Sequence, residues 1–325
     1  MTSEALPPLQ LPAREIPIPT SLSSEAKASI AASVFAPPPY PNVDDAAAWR
    51  AYAAAQDGAL LQLLAGMQIP DGAEVVEIMT GQARTFRITP HQRSVPDDCA
   101  FLDIHGGALV MGGGDLCGLI GRMTAIRRGV TFWTVDYRLP PDHPYPAALD
   151  DCLAAYRALL ENYQPEKIVV GGLSAGGNLA AAMVLRARDE GLPLPGGLVL
   201  VTPELDLTES GDSFQTNLGL DNVLTQSLMN ANLVYADGAD LNDPYVSPLF
   251  GDFSKGFPPT FLTAGTRDLF LSNVVRMHCA LRATDIPAEL YLLEAGSHAG
   301  FETAPEGQAR DREIEKFCRR IWGCD

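Results

Sequence analysis

Short runs of apolar residues recur along the chain from about residue 73 onward and alternate with longer stretches of helical periodicity. The apolar runs predict eight strands, over Ala73 to Ile78, Thr85 to Ile88, Cys99 to Ile104, Val130 to Val135, Lys167 to Val170, Gly197 to Val201, Thr260 to Thr263 and Glu289 to Leu293. Most of the later runs are continuous, which is typical of strands buried on both faces of a mostly parallel sheet. Helical spacing predicts helices over Ala147 to Asn162, Asn178 to Asp189, Ser272 to Thr284 and Arg310 to Trp322. This alternation predicts a three-layer α/β sandwich.

Three stretches depart from the alternation. Residues 1 to 45 are rich in proline and serine, which disfavours long regular elements and indicates an arm laid over another part of the protein. From Asp44 to Met67 the chain is Ala-rich and amphipathic, which predicts a helix that buries an apolar face made of Trp49, Tyr52, Leu60, Leu63 and Leu64. The stretch from Leu205 to Phe253 is long, acidic and without a clear strand, and we expect an insertion there.

Composition and charge exclude several classes of protein. The length of 325 residues allows two domains or one large α/β domain. The residues are 46% apolar and 19% charged, a composition far from that of disordered chains. The 23 Lys and Arg against 40 Asp and Glu give a net charge of −17, which repels phosphate backbones and anionic lipids. We therefore expect neither nucleic acid nor membrane partners.

The six cysteines are scattered, with no C-x-x-C pair and no neighbouring histidine cluster. They predict neither a zinc site nor a redox motif, and they favour reduced thiols in the cytoplasm. The N-terminus lacks the basic and apolar regions of a secretory signal, and no stretch approaches ~18 uncharged apolar residues. We expect no metal, no cofactor and a cytoplasmic location.

The strongest local motif is Gly-x-Ser-x-Gly at Gly172 to Gly176, between the apolar run that ends at Val170 and an Ala-rich helix. A strand, a tight turn and a helix are the context of a nucleophile elbow, in which a serine at strained dihedral angles stands clear of the sheet. Ser174 is that serine. In isolation the motif is equally compatible with a glycine-rich turn that starts a helix or cradles a phosphate.

A second motif, His105-Gly106-Gly107, follows the apolar run that ends at Ile104. Successive glycines can bring backbone N–H groups to one point, as a developing oxyanion requires, although His105 alone also fits a packed loop histidine. With both motifs the chain resembles the hormone-sensitive lipase-like (bacterial family IV) esterases of the α/β-hydrolase superfamily, whose motifs are His-Gly-Gly-Gly and Gly-Asp-Ser-Ala-Gly-Gly. The resemblance runs from about residue 75 to the end, through the blocks Asp136 to Ala148, Leu205 to Thr208 and Asp243 to Pro248.

The resemblance implies an α/β-hydrolase three-layer sandwich with a mostly parallel central sheet and a mainly helical cap. It divides the chain into an N-terminal arm and cap helix over 1–67 and a catalytic domain over 68–325, with a cap insertion near 205–250. We expect the helix and the insertion to form a roof over the pocket, which favours acyl chains of about two to eight carbons.

In α/β-hydrolases the acid and the histidine follow the serine in chain order. Of the two histidines after Ser174, His278 falls inside a predicted helix, whereas His298 follows the last predicted strand on a glycine-rich loop, which favours His298 as the base. Asp268 follows the preceding strand, 298 − 268 = 30 residues earlier, enough for one helix and one strand. An aspartate there is often only a helix cap, but the family pattern favours Asp268 as the catalytic acid.

The resemblance also implies an oxyanion hole made of the backbone N–H groups of Gly106, Gly107 and Ala175. Ala108 replaces the third glycine of the family motif, and because the donors are backbone groups this need not destroy the hole.

Three further positions depart from the family pattern. Leu173 replaces the usual Asp or Thr before the nucleophile, and Ala299 stands between His298 and the Gly-Phe pair that follows the family's histidine directly. Glu204 stands where the family often has Trp, and we favour a salt-bridged or solvent-facing carboxylate over a group that selects the substrate.

The sequence thus predicts a serine carboxylesterase that hydrolyses small, fairly apolar short-chain esters through an acyl-enzyme intermediate. The expected partner is the small-molecule ester substrate. The sequence is also compatible with a homodimer. The alternatives are a lactonase or amidase with the same triad, or a non-catalytic ligand-binding protein on the same fold. The acyl length is predicted only as this short range, and the natural substrate and the stereochemistry are not predicted.

Overall fold

The computed structural model of the protein describes residues 8–32, 38–67 and 71–324. Residues 1–7, where a secretory signal was not expected, Pro37 of the arm and the domain boundary at residue 68 lie outside the described residues.

Eight strands form one sheet in the described chain. They are β1 (Ala73–Thr80), β2 (Ala83–Pro90), β3 (Ala100–Ile104), β4 (Thr131–Asp136), β5 (Ile168–Leu173), β6 (Gly197–Val201), β7 (Thr260–Gly265) and β8 (Ala288–Leu293). Their order across the sheet is β1-β2-β4-β3-β5-β6-β7-β8. β2 is antiparallel to β1 and β4, and every other neighbouring pair is parallel. The mostly parallel sheet predicted from the apolar runs is confirmed.

The helices of the described chain lie on both faces of this sheet and at its carboxyl edge. They are α1 (Ser24–Ala31), α2 (Ala46–Ala65), α3 (Asp115–Arg128), α4 (Ala147–Leu160), α5 (Ala175–Asp189), α6 (Ser213–Thr216), α7 (Met229–Ala236), α8 (Leu271–Ala283) and α9 (Pro305–Trp322). The sequence pattern does not single out α3. Its glycines at 118 and 121 dilute the apolar stripe, and both sit against the sheet. No helix in the described ranges has the length and apolarity to cross a membrane.

The strands bury both faces because consecutive side chains point to opposite sides of the sheet. Phe101 and Phe261 pack with α3 and α9, whereas their neighbours Leu102 and Leu262 pack with α4, α5 and α8. Both faces are therefore covered by helices, which is the three-layer architecture.

The parts outside the sandwich lie over the carboxyl edge of the sheet. In the arm, Leu22 just before α1 and Ala26 within it pack against Phe301 and Ala304, which follow β8. The connection from β6 to β7 carries α6 and α7 and no strand, as expected for the insertion.

α2 begins where Asp45 caps it, with a carboxylate that accepts a hydrogen bond from the Ala48 N–H at 2.9 Å. Trp49 and Tyr52 are buried as predicted. The prediction is wrong for the other end of the helix: Leu60 is exposed, Leu63 is 69% exposed and Leu64 is only half-buried. The last turns of α2 extend past the protein surface on which its first turns pack. The leucines of these last turns therefore have little to pack against.

Candidate active site

Ser174 occupies the turn between β5 and α5, at φ 58° and ψ −121°. A positive φ strains a residue that carries a Cβ, and it persists only where the surroundings impose it. Here the Ser174 N–H donates to the Val201 carbonyl at 2.9 Å, and the Ser174 carbonyl accepts from the Gly177 N–H at 2.9 Å. The serine is thus held between two strands and the first turn of a helix, as a nucleophile elbow requires.

Gly176 lets the elbow touch the loop that follows β3. A Cβ on Gly176 would lie 1.9 Å from the carbonyl oxygen of Ile104, so only glycine fits. On the other side, a Cβ on Gly106 would lie 2.9 Å from the Leu173 carbonyl oxygen. Leu173 meets this loop through its backbone, so a Leu in place of Asp or Thr leaves the contact intact.

The three backbone groups expected to bind an oxyanion are free to do so. Within the described ranges, the N–H groups of Gly106, Gly107 and Ala175 donate to no protein acceptor. Gly106 and Gly107 follow β3, and Ala175 opens α5, where the first N–H groups of a helix have no intrahelical partner. Unpaired donors beside a strained serine are what a developing negative charge needs.

Two buried groups hold the loop that follows β3, residues 105–114, which we call the oxyanion loop. The His105 ring stacks on Tyr137 with centroids 3.9 Å apart, and the Tyr137 hydroxyl donates to the His105 carbonyl at 2.9 Å. Burial lowers the pKa of His105 to about 4, so the ring is neutral at pH 7, and its Nδ1 lies 2.7 Å from the Gly106 carbonyl. His105 is the packed loop histidine that the sequence left as an alternative. From above, Asp57 of α2 accepts the Gly112 N–H at 2.9 Å.

His298 and Asp268 meet as the chain order predicts. The Asp268 carboxylate follows β7, is fully buried, and its Oδ1 lies 3.2 Å from Nδ1 of His298. The same oxygen accepts the Phe270 N–H at 2.8 Å. The two loops touch directly, because a Cβ on Gly265 would lie 1.9 Å from the Gly296 carbonyl oxygen. His278, the other candidate base, lies half-buried in α8.

The ring of His298 is in a buried, negatively charged environment. Burial alone would lower its pKa, but the Asp268 carboxylate, its hydrogen bond and the carboxyl groups of Asp221 and Glu204 together raise the pKa above its ordinary value. The Phe270 ring packs edge-on against the imidazole, with centroids 4.9 Å apart. The imidazole is thus oriented by one carboxylate and covered on one side by an aromatic ring.

Ser174 and His298 each keep a small exposed area, 7% and 6%, whereas Asp268 has none. Among the described residues the Ser174 hydroxyl makes no hydrogen bond, and catalytic contacts of this kind are often loose in ligand-free proteins. Glu204 links the two sites: its N–H donates to the Ser174 carbonyl at 3.3 Å, and its carboxyl acts electrostatically on His298.

The expectation for Glu204 is wrong. Its side chain is fully buried and forms no ion pair in the described chain; Oε1 accepts from Nδ2 of Asn232 in α7 at 2.9 Å, and Oε2 has no partner. Burial raises the pKa of Glu204 to about 8, so the carboxyl is largely protonated at neutral pH. The position has no cation because it is enclosed between the end of β6 and the insertion.

A cluster of apolar side chains lies beside the site. Trp49 and Tyr52 of α2 belong to one buried cluster with Ala108 and Val110 of the oxyanion loop, and this cluster also includes Phe214, Leu228, Ala231, Val234, Leu269 and Phe270. Its members come from α2, the oxyanion loop, the insertion and the segment after Asp268. One apolar cluster therefore connects these four regions to the ring of His298.

One group of side chains has the donor types of a metal site. His105, Cys117 and Asp136 offer ligand atoms that all lie within 4.8 Å of one another. Both Asp136 oxygens already accept hydrogen bonds, from the Gly114 N–H at 2.7 Å and from Nε of Arg84 at 2.9 Å. The group lies behind the oxyanion loop, and the sequence did not indicate it because its three members are far apart in the chain.

Sequence reasoning missed three residues that shape the site: Asp57, Phe270 and Asp221. Asp57 is an isolated acidic residue in an Ala-rich helix, and that isolation is a usable signal. Phe270 lies two residues after Asp268. Asp221 carries no local signal, because its partners lie 48 and 77 residues away in the sequence.

Comparison with known proteins agrees with this geometry. A family model described as the alpha/beta hydrolase fold matches residues 101–302. An esterase from Acinetobacter venetianus is 34% identical over 225 residues, which cover 67% of this chain and 74% of that protein. Among solved structures, esterase E25 superposes with a TM-score of 0.84 at 34% identity, over 96% of this chain and 98% of the other. A hormone-sensitive lipase from a metagenome library superposes with a TM-score of 0.78 at 26% identity, over 93% and 99%.

Proposed function

Because this chain belongs to the α/β-hydrolase family, as a carboxylic ester hydrolase of the hormone-sensitive lipase-like group, we propose that it works by a serine mechanism with Ser174, His298 and Asp268 as its triad. The observation that carries the proposal is the buried 3.2 Å contact between Asp268 and His298 at the same sheet edge as a strained serine. Three unpaired backbone N–H groups lie beside that serine.

The reaction proceeds in two half-reactions. The Ser174 oxygen attacks the ester carbonyl carbon as Nε2 of His298 takes the hydroxyl proton, and the N–H groups of Gly106, Gly107 and Ala175 bind the oxyanion. The imidazolium then gives its proton to the departing alcohol, which leaves an acyl group on Ser174. A water molecule, deprotonated by His298, then attacks that acyl group; the bond to the Ser174 oxygen breaks, the imidazolium returns its proton to that oxygen, and the carboxylic acid leaves. Asp268 keeps the ring in the required tautomer throughout and stabilises the imidazolium.

The substrate preference follows from the apolar cluster. Trp49 and Phe214 belong to the apolar cluster that contacts the ring of His298 through Phe270, and we assign α2 with the insertion to a cap that closes the pocket. An enclosed apolar pocket favours small esters with short acyl chains over long-chain lipids. The proposed substrate is a small uncharged ester, and its hydrolysis by this mechanism needs no cofactor.

Active-site labelling tests the mechanism. A p-nitrophenyl ester should be hydrolysed, phenylmethylsulfonyl fluoride should abolish turnover, and mass spectrometry should find the adduct on Ser174. Ser174→Ala should lower kcat by about 10⁴ to 10⁶ and prevent labelling while circular dichroism stays native. Labelling of another serine, or turnover retained in Ser174→Ala, would overturn the mechanism.

The pH profile provides an independent check. kcat/KM should rise with pH as His298 loses its proton, with a midpoint above about 6.5 because the neighbouring carboxylates raise its pKa. A profile flat from pH 5 to 8 would contradict the assignment of His298 as the base.

A further inference from the structure

The insertion supplies a buried carboxylate that the triad does not use. Asp221 lies in the loop between α6 and α7, and only 1% of it is exposed. Its Oδ1 accepts the N–H groups of Val223 and Leu224, at 2.9 and 3.0 Å, which closes a turn within the loop. These two local bonds leave the other lone pairs free for partners elsewhere in the fold.

The remaining acceptor sites of Asp221 are directed at the two catalytic loops. Oδ2 accepts the N–H of Leu269, the residue after the acid, at 3.1 Å. The N–H of His298 itself approaches both oxygens, at 3.2 and 3.3 Å. One carboxylate therefore binds the backbone of the acid loop and the backbone of the base.

Two other residues of the same loop reinforce the arrangement. Nδ2 of Asn217 donates to the carbonyls of Thr266 and Asp268, at 3.2 and 2.9 Å. The Asn222 N–H donates to Oγ of Ser297 at 3.3 Å. The segment 217–222 thus bonds to both sides of the Asp268–His298 pair. Within the described chain, Asn217 bonds, of the two catalytic loops, only to the loop after β7 and Asn222 only to the loop after β8, whereas the carboxylate of Asp221 bonds to both.

We propose that Asp221 is a positioning residue for the triad, whose carboxylate fixes the acid loop and the base loop relative to one another and couples the cap insertion to the ring of His298. The proposal rests on the proposed function, because it assigns Asp221 to the same Asp268–His298 pair. Within the described residues the hydrogen-bond partners of the Asp221 carboxylate are N–H donors, which favour its ionised form against the burial and the Asp268 charge that raise its pKa.

The charge of Asp221 also acts on the imidazole. Three carboxyl groups face His298: Asp268 from the loop after β7, Glu204 from the end of β6, and Asp221 from the insertion. Each raises the pKa of His298, against the effect of burial. Asp221→Asn removes the negative charge of Asp221 and presents an amide N–H₂ to N–H donors, so it weakens one of the two loop contacts.

A variant series decides the proposal. Asp221→Asn should lower kcat about 10- to 100-fold per active site titrated with phenylmethylsulfonyl fluoride, with KM for p-nitrophenyl acetate changed less than about threefold. The acidic limb of kcat/KM should move to lower pH. Asp212→Asn, which changes an exposed carboxylate in the same insertion, is the matched control and should behave as wild type.

Charge and position are separated by Asp221→Glu, which keeps the charge but lengthens the side chain. It should keep the wild-type acidic limb while kcat falls, and it serves if Asp221→Asn fails to fold. A merely structural role predicts a lower melting temperature with kcat per titrated site and the acidic limb unchanged in both variants. That result overturns the proposal.

A readout without turnover keeps this test separate from the proposed function. NMR titration of the His298 ring should show a lower pKa in Asp221→Asn than in wild type, and an unchanged pKa overturns the proposal. If the wild-type protein neither turns over esters nor labels at Ser174, the serine mechanism fails, whereas the His298 titration still decides whether Asp221 acts on the ring.

Discussion

The floor and the roof of the site are built by different means. The floor consists of Ser174, the oxyanion loop and the loops after β7 and β8, and backbone atoms at van der Waals limits hold it: glycines 176 and 265 each have a carbonyl oxygen where a Cβ would be. The proposed roof consists of α2 and the insertion, and side chains such as Trp49, Phe214 and Leu228 hold it. The positions of the reacting groups are thus fixed by backbone contacts that leave no room for a side chain. The space for the substrate is set by side chains that can vary in size.

The largest effect should come from adding one methyl group to the floor. Gly176→Ala puts a Cβ where the Ile104 carbonyl oxygen lies at 1.9 Å, so the elbow or the oxyanion loop must shift. Displaced oxyanion donors cost about 10² to 10³ in kcat, and we expect a loss of that order in steady-state hydrolysis of p-nitrophenyl acetate. Circular dichroism reports whether the protein is folded. Wild-type kcat in Gly176→Ala would mean that the floor is not fixed by this contact.

Glu204 lies where floor and roof meet. Its titration should make the free energy of unfolding depend on pH, and we expect this to be the next largest effect. Its pKa of about 8 in the folded protein exceeds the ordinary 4.5, so between these values the unfolded chain loses a proton that the folded protein keeps. The free energy of unfolding therefore falls as pH rises through this window, by about 1.4 kcal/mol per pH unit from this group.

Glu204→Gln removes that loss, so its stability relative to wild type should increase from pH 5.5 to 7.5 in urea titrations. Glu161→Gln, at an exposed position, is the control and should show no such trend. A difference between wild type and Glu204→Gln that is independent of pH would show that the Glu204 carboxyl is ionised at its buried site.

The floor was largely predictable from the sequence, because its determinants are local. Each predicted strand lies within about three residues of the observed one, and Asp268 contacts His298 as the chain order predicts. The oxyanion donors follow a two-glycine motif at the end of β3. The roles of these residues in catalysis stay predictions until the labelling and pH experiments are done.

The roof was predicted only as a region, because its contacts depend on segments that meet from distant parts of the chain. The helical pattern of α2 gave the apolar face but not where its covering layer ends, so Leu60 and Leu63 were placed inside. Asp221 and Glu204 were missed or misjudged for the same reason. A carboxylate in an acidic insertion looks solvated until the loops that enclose it are placed.

Removing the arm should change the roof more than the floor. Deletion of residues 1–45 takes away Tyr40, which stacks on Trp49 with centroids 5.6 Å apart, and the Asp45 cap of α2. The relative kcat/KM for octanoate and acetate p-nitrophenyl esters should change about tenfold, which is the effect of one or two methylenes in an apolar pocket. The melting temperature of the core should change much less.

Leu63→Ala is the matched control for this deletion, because Leu63 lies on the same helix but is exposed. It should leave the relative kcat/KM unchanged. If the truncated protein keeps the wild-type ester preference, the arm is not part of the roof, and the assignment of residues 1–45 to it is wrong.

The smallest effect should come from the same substitution that breaks the floor, made in the roof. Gly58 lies inside α2, and a Cβ there would meet nothing within 4 Å. Glycine in a helix interior costs about 0.5 to 1 kcal/mol relative to alanine, so Gly58→Ala should raise the melting temperature by about 1 to 3 °C if α2 unfolds together with the core. kcat should stay at the wild-type value, because the added methyl group reaches neither Trp49 nor the oxyanion loop.

An unchanged melting temperature in Gly58→Ala would mean that α2 unfolds before the core, and a fall in kcat would mean that this face of α2 closes on the site. The contrast between Gly176→Ala and Gly58→Ala, measured with one assay, thus tests whether the backbone of the floor and the side chains of the roof are separate determinants.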